Sequence, residues 1–76
     1  MHSTLMELGE KLRERRQLLR LNQSDLALVA GVSVRTIQLV EQAKTSPSLD
    51  TLIRLANVLG FDVDLRLKEP GKSANV

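Results

Sequence analysis

A chain of 76 residues makes one small domain, near the lower size at which a chain folds alone, and its hydrophobic fraction of 42% supplies an almost wholly aliphatic core. With no cysteine and a single histidine, His2, a zinc site or a thiol nucleophile is excluded, and the lone aromatic, Phe61, counts against readers that stack single-stranded or RNA bases on rings. The net charge of +2 is too modest to mark a nucleic-acid binder by itself, and neither a membrane-span-sized apolar run nor a signal-peptide pattern is present.

Leu5, Leu8, Leu12 and Leu19 recur at three-to-four spacing, which predicts a first helix over residues 4–20, with Ser3 or Thr4 as its cap. Residues 10–20 of that helix carry Lys11, Arg13, Arg15, Arg16 and Arg20 against Glu10 and Glu14. Such a local excess is either a solvated face or a set of phosphate contacts. Asn22 is an N-cap type, and Asp25 follows three residues on in a capping-box-like arrangement, which predicts a second helix over residues 23–30.

Ala30-Gly31-Val32-Ser33 then reads as a tight turn. Gly31 supplies a positive φ, and Ser33 caps a third helix over residues 34–42. Apolar residues at Leu26, Ala27, Ala30, Val32, Ile37 and Val40 pack the two short helices together. This is how a helix-turn-helix is built, and its second helix usually enters the DNA major groove. Arg35, Thr36 and Gln38 are side chains able to hydrogen-bond base edges or phosphates. Residues 44–48 form a loop containing Pro47. Leu49, Leu52, Ile53, Leu55, Ala56 and Leu59 predict a fourth helix over residues 49–59, stopped by Gly60.

After Gly60 the period changes to two. Phe61, Val63, Leu65 and Leu67 alternate with Asp62, Asp64, Arg66 and Lys68, the pattern of a half-buried strand. A single strand has no partner in a helical chain, and unpaired it is unstable in water. The economical solution is an antiparallel pairing with a second copy across a two-fold axis. A fifth short helix, or an extended segment packed on its own core, is the alternative. The organisation expected is a DNA-binding domain over residues 1–60, a dimerising strand over 61–68 and a flexible tail over 69–76.

Leu12-Arg13 with Arg16, the run from Leu21 to Ala27, Gly31-Val32-Ser33, Ile37, Glu41 and the run from Pro47 to Leu52 resemble the Xre/Cro/C1 helix-turn-helix family of lambdoid phage repressors. The resemblance extends from Leu8 to about Leu59. It implies an all-α, lambda-repressor-like bundle of about five helices, to which the period-two segment adds one C-terminal β-strand. It implies that Ser33, Val34, Arg35, Gln38 and Leu39 look into the groove, Arg35 being the first choice for a guanine contact. Asn22, Gln23, Thr36, Lys44 and Thr45 become the phosphate-contact candidates, Gln23 because it opens a helix whose N-terminal N–H groups favour anions. Arg16 and Glu41 resemble an ion pair that ties the first helix to the third. Two positions depart from the family pattern. Leu39 stands where many relatives carry a polar reader. Ala43 stands where glycine is frequent, and alanine tolerates a positive φ poorly, so the following loop is expected to take another course.

A domain of this kind ending in one strand is similar to HipB-type antitoxins. That implies a homodimeric, cytoplasmic repressor of its own operon, bound to double-stranded DNA at an inverted-repeat operator, with a kinase-fold toxin as partner protein. The rival readings are a stand-alone phage-type regulator or restriction-modification controller, and a protein-interaction module that has lost DNA binding. No cofactor, metal or membrane partner is implied. No convergent nucleophile–base set or phosphate-binding glycine loop suggests an enzyme.

Overall fold

The computed structural model describes residues 4–67. Four helices occupy them: α1 (Thr4–Leu18), α2 (Gln23–Ala30), α3 (Val34–Glu41) and α4 (Leu49–Leu59). The last three begin at side-chain caps. Asn22 Oδ1 accepts from the Asp25 N–H at 2.7 Å while Asp25 Oδ2 accepts from the Asn22 N–H at 3.3 Å, a reciprocal capping box. Ser33 Oγ accepts from the Thr36 N–H at 3.0 Å, and Ser48 Oγ accepts from the Thr51 N–H at 3.1 Å. Each such cap contributes about 1 kcal/mol by satisfying a donor that the helix leaves free.

The helices stop where the backbone turns left-handed. Gly31 (φ 73°) and Gly60 (φ 83°) do so without a Cβ penalty. Arg20 (φ 60°) and Ala43 (φ 58°) do so despite one. At Arg20 the Leu21 N–H reaches the Arg16 carbonyl at 3.1 Å and the Arg20 N–H reaches the Gln17 carbonyl at 3.0 Å. This Schellman closure ends α1 at Leu18, two residues before the expected boundary. The same closure follows α3, with the Lys44 N–H on the Leu39 carbonyl at 2.8 Å and the Ala43 N–H on the Val40 carbonyl at 3.1 Å. The expectation that alanine would divert this loop is therefore corrected. The two hydrogen bonds hold Ala43 in the left-handed region in spite of its methyl group.

Leu12 of α1, Leu26, Ala27 and Ala30 of α2, Ile37 and Val40 of α3, and Leu55, Ala56 and Leu59 of α4 are buried. Burial of each large aliphatic contributes about 1.5–3 kcal/mol. Helix α1 lies against α3 and α4, and α2 lies against both as well. Gly9 sits where α1 crosses the end of α3. A methyl group there would collide with the Val40 carbonyl oxygen and come within 3.0 Å of the Glu41 carbonyl oxygen.

Three expectations need correction. Four helices, not about five, lie among the described residues. Leu19, Leu49 and Ile53 are exposed rather than core, since they fall beside the buried stripes. Residues 61–67 carry no strand among the described residues. A ladder requires a second strand, which one chain does not supply. Phe61 packs on the core instead, its N–H bonded to the Ala56 carbonyl at 2.9 Å. Val63 is partly exposed, and Leu65 and Leu67 are 97% and 98% exposed. Ser3, Lys68 and the tail 69–76 lie outside the described residues.

Candidate nucleic-acid interface

Helix α3 buries Ile37 and Val40. At 100° per residue, the opposite side carries Arg35, Gln38, Leu39 and Gln42, with Val34 at the edge against the core. Arg35 and Gln42 are exposed, and Gln38 and Leu39 are half-buried. The side chains of Arg35, Gln38 and Gln42 make no hydrogen bond among the described residues, so their donors and acceptors face outward unspent. Ser33 and Thr36 differ. Their hydroxyls share a hydrogen bond at 2.8 Å while Ser33 caps the helix, which ties both to the start of α3.

A second group of residues borders this face. Gln23, the first residue of α2, donates from Nε2 to Glu41 Oε1 at 3.1 Å, so the start of α2 stands beside the end of α3. Asn22 uses its Oδ1 on the cap and leaves its amide nitrogen outward. The Gln23 and Ser24 N–H groups precede the first intrahelical bond, made by Leu26 to the Asn22 carbonyl at 3.1 Å. Just past α3, Lys44 is exposed and Thr45 half-buried on the loop that Ala43 turns.

Beneath this border lies the ion pair. Arg16 Nε donates to Glu41 Oε2 at 2.7 Å and Nη2 to Oε1 at 2.9 Å, while Nη1 donates to the Leu21 carbonyl at 2.9 Å. The side chains are only 10% and 5% exposed. The hydrogen bonds to Glu41 raise the Arg16 pKa further above its already high value, outweighing the opposing effect of burial. The pair links α1 to α3, as the resemblance implied.

The basic run on α1 is divided by the fold. Arg16 is in the pair, and Arg15 Nε caps α4 through the Leu59 carbonyl at 2.8 Å. Neither alternative, a solvated face or a set of phosphate contacts, covers all five cations, because these two are held inside the chain. Lys11, Arg13 and Arg20 are exposed. Sequence reasoning missed the roles of Gln42, Gly9 and Arg15. Gln42 was detectable, since it follows Gln38 by one helical turn and Arg35 by two. Neither the Gly9 crossing nor the Arg15 cap has a local sequence signal, because each depends on a distant carbonyl. Among the described residues no helix is long and apolar enough to cross a membrane.

Comparison with known proteins agrees with this geometry. The family model described as helix-turn-helix matches residues 12–65. The chain is 43% identical over 58 residues to the HTH-type transcriptional regulator DdrOP3 of Deinococcus deserti, a match over 76% of this chain and 45% of that protein. It is 36% identical over 64 residues to the HTH-type transcriptional regulator PuuR of Escherichia coli, over 84% of this chain and 35% of that protein. The chain thus spans less than half the length of these curated relatives. The solved restriction-modification controller protein C.AhdI of Aeromonas hydrophila superposes with a TM-score of 0.75 at 30% identity, covering 80% of this chain and 92% of that one. With caps, turn and outward-facing third helix all in place, this chain belongs to the helix-turn-helix family, of the Xre/Cro type.

Proposed function

We propose that this chain is a sequence-specific, DNA-binding transcriptional regulator acting in the cytoplasm as a homodimer on an inverted-repeat operator. The observation that carries the reading is the outward face of α3. Arg35, Gln38 and Gln42 present unpaired polar groups on a helix anchored by Ile37 and Val40. In the major groove Arg35 reads guanine, Gln38 and Gln42 take adenine or backbone, and Val34 and Leu39 meet thymine methyl groups. Asn22, Gln23, Lys44 and Thr45 hold phosphates on either side. Ser33 and Thr36 maintain the start of the reading helix and approach the backbone there.

Two copies pair through residues 61–67 and the outer side of α4. Leu49, Ile53, Val63 and Leu65 line one groove there, and Phe61 anchors the segment while Leu67 extends it. Pairing in this way satisfies the period-two pattern and covers the exposed leucines.

A controller-type regulator is preferred over an antitoxin with a kinase-fold partner. The antitoxin reading rested on the terminal strand alone, whereas the likeness to a restriction-modification controller covers four fifths of the chain. A titration against a duplex from the chain's own upstream region, with random duplex at matched salt, tests the proposal. Tighter binding to the upstream duplex, at two subunits per repeat, is expected and should be lost in Arg35→Ala. Equal affinity for random and upstream duplexes counts against regulation at that promoter. A protein-interaction role requires partner binding that survives Arg35→Ala.

A further inference from the structure

We infer that Glu41 is a positioning residue for DNA binding, fixing the Gln23 amide at the phosphate-facing start of α2, in addition to forming an ion pair. The inference rests on the DNA-binding reading above. Glu41 Oε1 accepts two hydrogen bonds, from Arg16 Nη2 at 2.9 Å and from Gln23 Nε2 at 3.1 Å. Its Oε2 accepts from Arg16 Nε at 2.7 Å. The two-point grip of Arg16 sets the plane of the carboxylate, and burial of both side chains keeps it there.

A carboxylate accepts and does not donate, so it decides which end of the Gln23 amide faces inward. The nitrogen is held toward Glu41. Its second N–H has no partner among the described residues and lies at the helix start, beside the free N–H groups of Gln23 and Ser24. Together these donors suit one phosphate oxygen. Without Glu41 the amide is an unrestrained rotor that must be ordered on binding. The negative charge of Glu41 would oppose a phosphate, but Arg16 neutralises it and the carboxylate is covered. Because Glu41 closes α3 just before Gln42, the same group keeps the phosphate grip of α2 in register with the reading face of α3.

A mutant cycle tests this on a generic duplex at low salt, since a phosphate contact needs no operator. The proteins are the wild type, Gln23→Ala, the apolar replacement Arg16→Met with Glu41→Leu, and the combination of all three substitutions. Thermal melts confirm that each is folded at the binding temperature. Where the apolar pair fails to fold, Glu41→Leu, which has no acceptor for the amide, takes its place in the same cycle, measured well below its Tm. Gln23→Ala should weaken binding about ten- to a hundredfold, the loss of one charge-assisted hydrogen bond. The pair variant should weaken it about two- to tenfold, the cost of ordering the freed amide, and the combination should be no weaker than Gln23→Ala. Multiplying losses, or a folded pair variant that binds like the wild type, would overturn the inference. Gln23→Ala binding like the wild type would also overturn it while leaving the DNA-binding reading intact. A wild type that binds no duplex at low salt would remove both.

Discussion

Replacing Glu41 by leucine isolates the consequence of burying a charge beside its partner. Arg16 makes three hydrogen bonds, two of them to Glu41, and Gln23 makes a further one to the same carboxylate. The substitution leaves Nε and Nη2 of a guanidinium that is 10% exposed without acceptors. Breaking a buried pair from one side costs ~3–5 kcal/mol, against ~0.5 kcal/mol for an exposed pair. For a chain of 76 residues, total stability is about 4–11 kcal/mol at typical per-residue values. Glu41→Leu therefore removes about a quarter of it or more. At ~4–8 °C per kcal/mol, the Tm should fall by at least about 12 °C, with a parallel drop in the urea midpoint. Adding Arg16→Met should recover most of the loss, because an apolar pair needs no acceptors. Arg16 itself should add no pH dependence near neutrality. Its raised pKa keeps its contribution complete below the ordinary arginine value and forfeits it only in stronger alkali. A Glu41→Leu loss below ~1 kcal/mol would show that water reaches the pair, refuting the burial argument.

Other substitutions probe the backbone and the proposed interfaces. Gly9→Ala should destabilise by about 1–3 kcal/mol through collision with the Val40 carbonyl, despite the better helix propensity of alanine, and a raised Tm would sink that account. Ala43→Gly should stabilise by about 0.5–1 kcal/mol in urea titration, as relief of left-handed strain exceeds the entropy that glycine adds to the unfolded chain; unchanged or lower stability would mean that the methyl group is unstrained. Arg15→Ala should cost about 1–2 kcal/mol by freeing the Leu59 carbonyl. Leu65→Lys with Leu67→Lys should convert the proposed dimer to monomer by sedimentation without lowering the stability of the single domain, since both side chains are almost fully exposed in it.

The boundaries of α2 and α4 coincide with those read from the sequence because their determinants are local. Asn22 and Ser48 hold their own helix starts, and Gly31 and Gly60 end them. The Arg16–Glu41 pair was legible through the resemblance, but its burial was not, and burial separates a half-kilocalorie contact from one on which the domain depends. The end of α1 was obscured because an arginine turns left-handed at Arg20, where propensity would continue the helix. Ala43 misled for the same reason in reverse: the sequence shows the penalty but not the two hydrogen bonds that overcome it. At residues 61–67 the period was readable, but a period names a face and not the partner that covers it.

The division of the basic run also limits how strongly salt should act on DNA binding. Of eleven lysines and arginines, Arg15 and Arg16 are held within the fold, Arg54 pairs with Asp50 at 2.8 Å, and Arg66 lies 4.0 Å from Asp64. Arg35 on α3, Lys44 just beyond it and Arg20 before the start of α2 are exposed cations that flank the proposed reading surface. With Arg35 on a base, Lys44 and Arg20 in each of two subunits neutralise about four phosphates, which predicts that log K falls with log salt with a slope of about −4. A monomer using the same groups would show about half that slope. A slope steeper than about −8 would require Lys11, Arg13 or further cations to reach the duplex as well, and would refute the reading in which α3 and its two borders form the whole contact. Fluorescence anisotropy across a salt series distinguishes the three cases, and Lys44→Ala should make the dimer slope shallower by about two units if its ammonium meets a phosphate in each half-site.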